Sequence, residues 1–508
     1  MYSNLTTCVL NGLDGHPVEV ETHIATGLAN FTIVGLPDAS IKESKDRVRS
    51  AMVNSGYKFP LGRITINLAP ATLKKEGSQL DLAIAIGILH AMGVILTEPS
   101  DKLVYIGELA LDGRLMPVHG ALPMVIAMRE QGYRHFILPE DNREECAPVR
   151  DVNLYPAKHL REIIAHLNGE QIIPLYEGDE VFTGDEVEYD MDFSEIKGQD
   201  FLKRALEVAA AGGHNILIIG PPGAGKTMAA LRLPTILPDM TFEESIECTK
   251  IYSVCGLLDG RGLIRKRPFR SPHHTASAVS IIGGGRIPKP GEVSLAHNGV
   301  LFLDEMPEFS KQVLEVLRQP MEDGKVTISR ALTSLTYPSK FTIIAALNPC
   351  HCGNFGNPSA SCSCSQSQIQ RYLGKISGPL LDRFDIHIEV QPVKYQELTD
   401  QAPAESSSVI RARVNRARDR QLKRYEGLNI VNNDGLSPKL IKEHIKLKPE
   451  VEELLSKAFH RYKFSARSFT KILKLSRTIA DLSDSDEVEA GHVLEAIRYR
   501  SLDEKYWG

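Results

Sequence analysis

Gly220-Pro-Pro-Gly-Ala-Gly-Lys-Thr227 decides how this 508-residue chain folds. The apolar run Asn215-Ile-Leu-Ile-Ile219 precedes it and reads as a buried strand; Met228-Ala-Ala-Leu231 follows and reads as the opening of a helix. Strand, glycine-rich loop and helix, in that order, are the context of a Walker A loop. Within Gly220, Pro221, Pro222, Gly223, Ala224 and Gly225, the glycines let successive backbone N–H groups turn toward phosphate oxygens with no Cβ in the way. The helix N-terminus adds partial positive charge. Lys226 is expected to reach the β- and γ-phosphates of ATP and Thr227 to coordinate Mg²⁺. The alternative is a glycine-rich turn with an incidental Lys-Thr.

Working outward, the length allows two to four domains. With 42% apolar and 24% charged residues, wholesale disorder is excluded. A net charge of −5 means that any nucleic-acid contact must come from a local basic patch. The N-terminal Met1-Tyr-Ser-Asn-Leu-Thr-Thr-Cys8 has no signal-peptide pattern, and the longest apolar run, Leu82 to Leu89, is too short for a membrane span. A cytoplasmic chain with no membrane partner and with reduced cysteines is expected.

A second phosphate-site element is Gly299-Val-Leu-Phe-Leu-Asp-Glu305. Its apolar residues read as a central strand that carries Asp304 and Glu305 to the sheet edge where open α/β sheets bind ligands. Asp304 would hold the Mg²⁺ shell, and Glu305 would orient and deprotonate the attacking water. A third strand, Phe341 to Leu347, ends in Asn348, an amide placed to hydrogen-bond the γ-phosphate or the water. Ahead of the loop, Ile196-Lys-Gly-Gln199 lies where an adenine contact would fall, before a helix from Phe201 to Ala211.

Residues 1–170 interleave strands (Val18–Thr22, Arg63–Asn67, Lys102–Gly107, Arg134–Leu138) with helices (Ser40–Met52, Leu80–Met92, Leu122–Gln131), which makes an α/β or α+β domain. Within it, Ile106-Gly-Glu-Leu-Ala-Leu-Asp-Gly-Arg-Leu-Met-Pro117 resembles the proteolytic domain of Lon-type proteases. Ser78 then falls at the nucleophile position, but the position of the lysine that would take its proton falls at Leu122, which has no base. The expectation is an inactive domain, with Ser78 capping the helix before Leu80. Residues 171–192 turn acidic and read as a linker.

Asn348 matches the sensor 1 position of AAA+ ATPases. Arg383, in Leu380-Leu-Asp-Arg-Phe-Asp385, resembles an arginine finger that would serve a neighbouring subunit; the alternative is a salt bridge with Asp382 or Asp385. Arg467 matches sensor 2. With Phe31-Thr-Ile-Val-Gly-Leu-Pro-Asp38, Arg270-Ser-Pro-His-His-Thr-Ala-Ser277, Ile376 to Arg383 and Arg477 to Leu482, the chain resembles the magnesium-chelatase-like AAA+ ATPases of the YifB/ComM type. The resemblance implies an α/β chain with a Lon-protease-like domain (1–170), a P-loop AAA+ core (193–395) and a C-terminal helical lid (396–508). It further implies a homo-hexameric ring and ATP-driven DNA branch migration during natural transformation. The alternative is a chelatase-type or protein-remodelling ATPase acting on a protein partner.

For DNA, the run Arg261 to Arg270 has five basic and no acidic residues. Val326–Arg330 and Leu332–Tyr337 read as a hairpin, and in relatives such insertions face the pore. Arg265, Lys266, Arg267 and Arg330 are the candidate phosphate contacts, giving sequence-independent binding that weakens with salt. His273 and His274 are read as pore-loop or structural residues. Finally, Cys350, Cys352, Cys362 and Cys364 form two CxC pairs suited to a structural Zn²⁺, with His351 able to replace one of them; the alternative is four reduced cysteines in a loop.

Overall fold

The computed structural model describes residues 1–97, 102–178, 189–258, 260, 262–285, 288–329, 334–357, 360–393, 395–396, 404–428, 430–462, 464–500, 502 and 506. The chain divides into two compact units: Met1–Asp185 with Phe242–Ile264, and Glu186–Thr241 with Arg265–Gly508. Residues 242–264, which the sequence reading leaves inside the nucleotide-binding core, therefore pack with the first unit. Residues 179–188 of the acidic linker lie outside the described residues.

The first unit is built on a seven-stranded mixed sheet. Its order is Asn30–Val34, Arg63–Ala69, Asp14–Ala25, Tyr2–Asn11, Leu103–Tyr105, His135–Pro139, Asn153–Ala157. Alternating burial along Tyr2–Asn11 and Asp14–Ala25 gives each strand an inward face, and the two pair antiparallel over ten positions. Helix Asp81–Ala91 is buried at all but one position, so it runs through the core rather than over it. The inserted helix Phe242–Cys255 packs on helix Ala121–Glu130, where the Gly120 N–H donates to the Ser253 carbonyl (3.1 Å). The Ser253 hydroxyl donates to the buried Glu145 carboxylate.

In the second unit five parallel strands stand in the order Phe269–Arg270, Val300–Leu303, Thr342–Leu347, Ile216–Ile219, Ile386–Glu389. Ile216–Ile219 and Val300–Leu303 are buried at every position, as expected of a parallel sheet covered on both faces. Strand Thr342–Leu347 lies between the Walker A and Walker B strands, so the C-terminal ends of all three converge on one edge. Downstream are helices Ser407–Arg424, Pro438–His444, Pro449–Tyr462, Ala466–Leu482 and Ala490–Arg498. Among the described residues, no helix is long and apolar enough to cross a membrane.

Candidate nucleotide site and its surroundings

The Walker loop bridges the Ile216–Ile219 strand and a short helix, Lys226–Arg232. Gly223 (φ +77°) and Gly225 (φ +83°) take left-handed backbone that an L side chain strains to adopt. Gly220 is required by packing, since a Cβ there would lie 2.3 Å from Val390 Cγ2. The Gly220 N–H donates to the Leu347 carbonyl (3.1 Å), fastening the loop to the sensor strand.

Lys226 Nζ donates to the carbonyls of Gly220 (2.7 Å) and Pro221 (2.9 Å) and to Asn348 Oδ1 (3.0 Å). Burial lowers its pKa to about 8 against the opposing pull of the Asp304 and Glu305 carboxylates. Thr227 Oγ1 donates to Asp304 Oδ2 (2.8 Å), which pairs the two proposed Mg²⁺ ligands directly. The donor set is hydroxyl and carboxylate oxygen, the hard ligands Mg²⁺ favours. Glu305 sits in the left-handed region (φ 51°), with its N–H on Asp304 Oδ1 (3.0 Å), and its side chain is exposed. Lys226, Thr227, Asp304, Glu305 and Asn348 thus meet at one sheet edge. Upstream, Gln199 Nε2 donates to the Ala224 carbonyl of the loop (3.3 Å), while Ile196 is buried in the core.

One neighbour was not assigned to this site from sequence. His274 Nδ1 lies 3.8 Å from Glu305 Oε2, and the His273 ring packs against the His274 ring, tilted by 33° with centroids 4.1 Å apart. The signal was available: both histidines follow the Phe269–Arg270 strand, parallel to Val300–Leu303, and so reach the same edge as Glu305.

Arg383 and Arg467 are engaged elsewhere. Arg383 pairs with Glu322 on helix Arg318–Asp323, not with Asp382 or Asp385, the partners considered from sequence. Asp382 instead holds Arg467 (3.4 Å), and the buried Asp385 holds Lys471 (2.9 Å). Neighbouring carboxylates were too simple a guide because the short helix before Arg383 turns its side chain to a residue sixty-one positions back.

Of the basic run, Arg265 and Lys266 are exposed, and the Lys266 ammonium lies over the Tyr189 ring (5.3 Å). Arg267 has a bracing job: it donates to the carbonyls of Pro238 (2.6 Å), Asn298 (2.7 Å) and Asp239 (3.1 Å). Arg330 lies outside the described residues. The hairpin Lys325–Ser329 with Ser334–Pro338 forms in register, and the Tyr337 hydroxyl reaches the Pro288 carbonyl (2.8 Å), joining it to the insertion after the histidines.

Two further expectations change. Ser78 does not cap a helix with its hydroxyl; helix Asp81–Ala91 has no side-chain cap, and the Ser78 hydroxyl donates to Glu108. Leu122 is wholly buried. The four cysteines do come together, their Sγ atoms all within 4.8 Å of one another. His351 is not among them, because its ring packs on Tyr372 (4.7 Å).

Three family models match: magnesium chelatase subunit ChlI over residues 192–398, subunit ChlI of Mg-chelatase over 20–142, and the ChlI C-terminal region over 404–500. The YifB protein of Escherichia coli is 42% identical over 495 residues, covering 97% of this chain and 96% of YifB. Competence protein ComM of Haemophilus influenzae is 42% identical over 497 residues, again 97% of this chain and 96% of the relative. The chain belongs to the YifB/ComM family of magnesium-chelatase-like proteins. This places the site in an AAA+ ATPase architecture. Over 164 residues the chain is also 26% identical to the Lon protease of Rhizobium meliloti, covering 30% of this chain and 20% of that protein. A YifB/ComM-type chain with a Lon-like segment thus accounts for both resemblances.

Proposed function

We propose that this chain is a cytoplasmic ATPase that assembles as a homo-hexamer and moves DNA through the ring, driving branch migration in the manner suggested by its likeness to a competence protein. The observation that carries the reading is the constellation at one sheet edge: Lys226 on Asn348, Thr227 on Asp304, and Glu305 exposed beside them.

Lys226 would leave the loop carbonyls for the β- and γ-phosphates, giving its charge where negative charge gathers. Thr227 and Asp304 would hold Mg²⁺, whose positive charge draws in the β- and γ-oxygens. Glu305 would take the proton of the attacking water, with Asn348 fixing the water's direction. Arg383 would serve a neighbouring subunit, after exchanging its bond to Glu322 for transition-state charge. Arg467 would reach the phosphates from the helical lid, residues 396–508. Residues 1–170 form a proteolytically inactive Lon-like domain, linked through 171–192 to the core, 193–395, whose inserted stretch 242–264 packs with the first unit. The exposed Arg265 and Lys266, together with Arg330, would contact DNA phosphates. Zn²⁺ would fill the four-cysteine site.

ATP turnover measured with linear, forked and four-way junction DNA tests this. Stimulation by DNA that declines as salt rises is expected. Turnover indifferent to every DNA at low salt would overturn the translocase reading and favour a chelatase-type or protein-remodelling ATPase.

A further inference from the structure

The stretch between the sensor strand and helix Gln366–Leu373 is rich in Gly, Asn, Pro and Ser, with little to bury. Such a segment needs a cross-link to hold one shape. The sulfur geometry supplies one. Cys350 Sγ lies 3.3 Å from Cys352 and 3.7 Å from Cys362, with 3.6 Å between Cys352 and Cys362. Four thiolates around zinc at about 2.3 Å stand about 3.8 Å apart at the corners of a tetrahedron. The separations approach that figure, whereas a direct S–S bond would need about 2.05 Å. Four soft ligands leave no open coordination position, which marks a structural site rather than a catalytic one.

What the site would hold in place is the nucleotide loop. Cys350 stands two residues after Asn348, which accepts the Lys226 bond. Just past Cys352, Gly353 (φ +78°) lies so close to the Walker loop that a Cβ there would be 2.4 Å from Pro222 Cδ. On the other side, Ser365 follows Cys364 directly and caps helix Gln366–Leu373 with a capping box. That helix carries Tyr372, whose ring packs on His351 (4.7 Å between centroids), so the helix is held against the first CxC pair. The cysteine loop therefore lies against Pro222 of the Walker loop and runs on directly from Asn348.

We propose that Cys350, Cys352, Cys362 and Cys364 bind one zinc ion per chain, and that this ion clasps the Walker loop so that its occupancy sets nucleotide affinity. The inference rests on the nucleotide-binding reading above and adds its control. Without the ion, the segment under Pro222 and Asn348 samples many shapes, and affinity falls by the fraction of time the loop is competent.

The test uses the full-length chain. Elemental analysis should find one zinc per chain, and Cys352→Ser with Cys364→Ser should remove it. Titration with a fluorescent ATP analogue, before and after zinc removal by a strong chelator, should show affinity falling about tenfold and returning with added zinc. Gly353→Ala separates the clasp from the metal: zinc content should persist while nucleotide affinity drops. Zinc content far below one, or an affinity indifferent both to zinc removal and to Gly353→Ala, would overturn the proposal. A zinc-insensitive affinity that Lys226→Ala abolishes would overturn the clasp alone; a zinc-loaded chain that takes no nucleotide would overturn the nucleotide reading and the clasp with it.

Discussion

Ser78 in the first unit and Thr227 in the second each donate a hydroxyl to a carboxylate, Glu108 and Asp304. Their surroundings differ in where the positive charge goes. Near Ser78, Arg47 is locked onto the buried Asp81 by two hydrogen bonds (2.7 and 3.1 Å) and also holds Ser44 Oγ (3.0 Å). Near Thr227, Lys226 donates only to neutral oxygens, and the carboxylates of Asp304 and Glu305 keep some exposure. One cluster neutralises itself; the other holds charge ready for phosphate and metal. A hydroxyl beside a carboxylate therefore says little until the nearest cation's partners are known.

Substitutions should separate the two clusters by what they disturb. Glu305→Gln should lower ATP turnover about a thousandfold by removing the proton acceptor. Nucleotide binding should persist in a fluorescence titration; retained turnover would end the role given to Glu305. Asp81→Ala should act on stability instead. It strands Arg47, largely buried, at a cost of about 3 kcal/mol read as a lower urea midpoint, with turnover per folded chain unchanged.

The lysine gives a pH test. With its pKa lowered to about 8 in the free site, Lys226 loses its charge as pH rises through that value. Phosphate favours the charged form, so binding above that pH takes up a proton, and affinity should fall by up to about tenfold per pH unit. Calorimetry in buffers of different ionisation enthalpy measures the uptake; constant affinity across that range would detach Lys226 from the phosphates. The smallest effect belongs to Ser78→Ala, which removes one hydrogen bond worth about 1 kcal/mol. ATP turnover should be unaffected, while casein cleavage abolished by this substitution would reverse the comparison.

Local order was legible in the sequence because periodicity reports which faces are buried. The reading of a helix from Ser40 to Met52 meets Ala39–Asn54, and the hairpin read at 326–337 meets Lys325–Ser329 with Ser334–Pro338. The core of the nucleotide site was legible too, since its residues sit at strand ends and a parallel sheet aligns those ends. Long-range partners were not. Nothing near Arg383 names Glu322, nothing near Ser78 names Glu108, and Tyr2–Asn11 gives no sign of standing mid-sheet. Such pairings depend on topology, which a local pattern does not carry.

Residues 242–264 carry a practical consequence for anyone dissecting this chain. Their helix buries Cys248 and Ile251 in the first unit, and Ser253 serves Glu145 there. A fragment begun after the acidic linker would keep this helix but lose helix Ala121–Glu130, on which it packs, leaving a sticky apolar face on the second unit. The complementary fragment, ended at the linker, would bury Glu145 without its hydroxyl donor. Dissection should therefore excise 242–264 and rejoin the ends with a short polar loop, or supply that helix in trans to the first fragment.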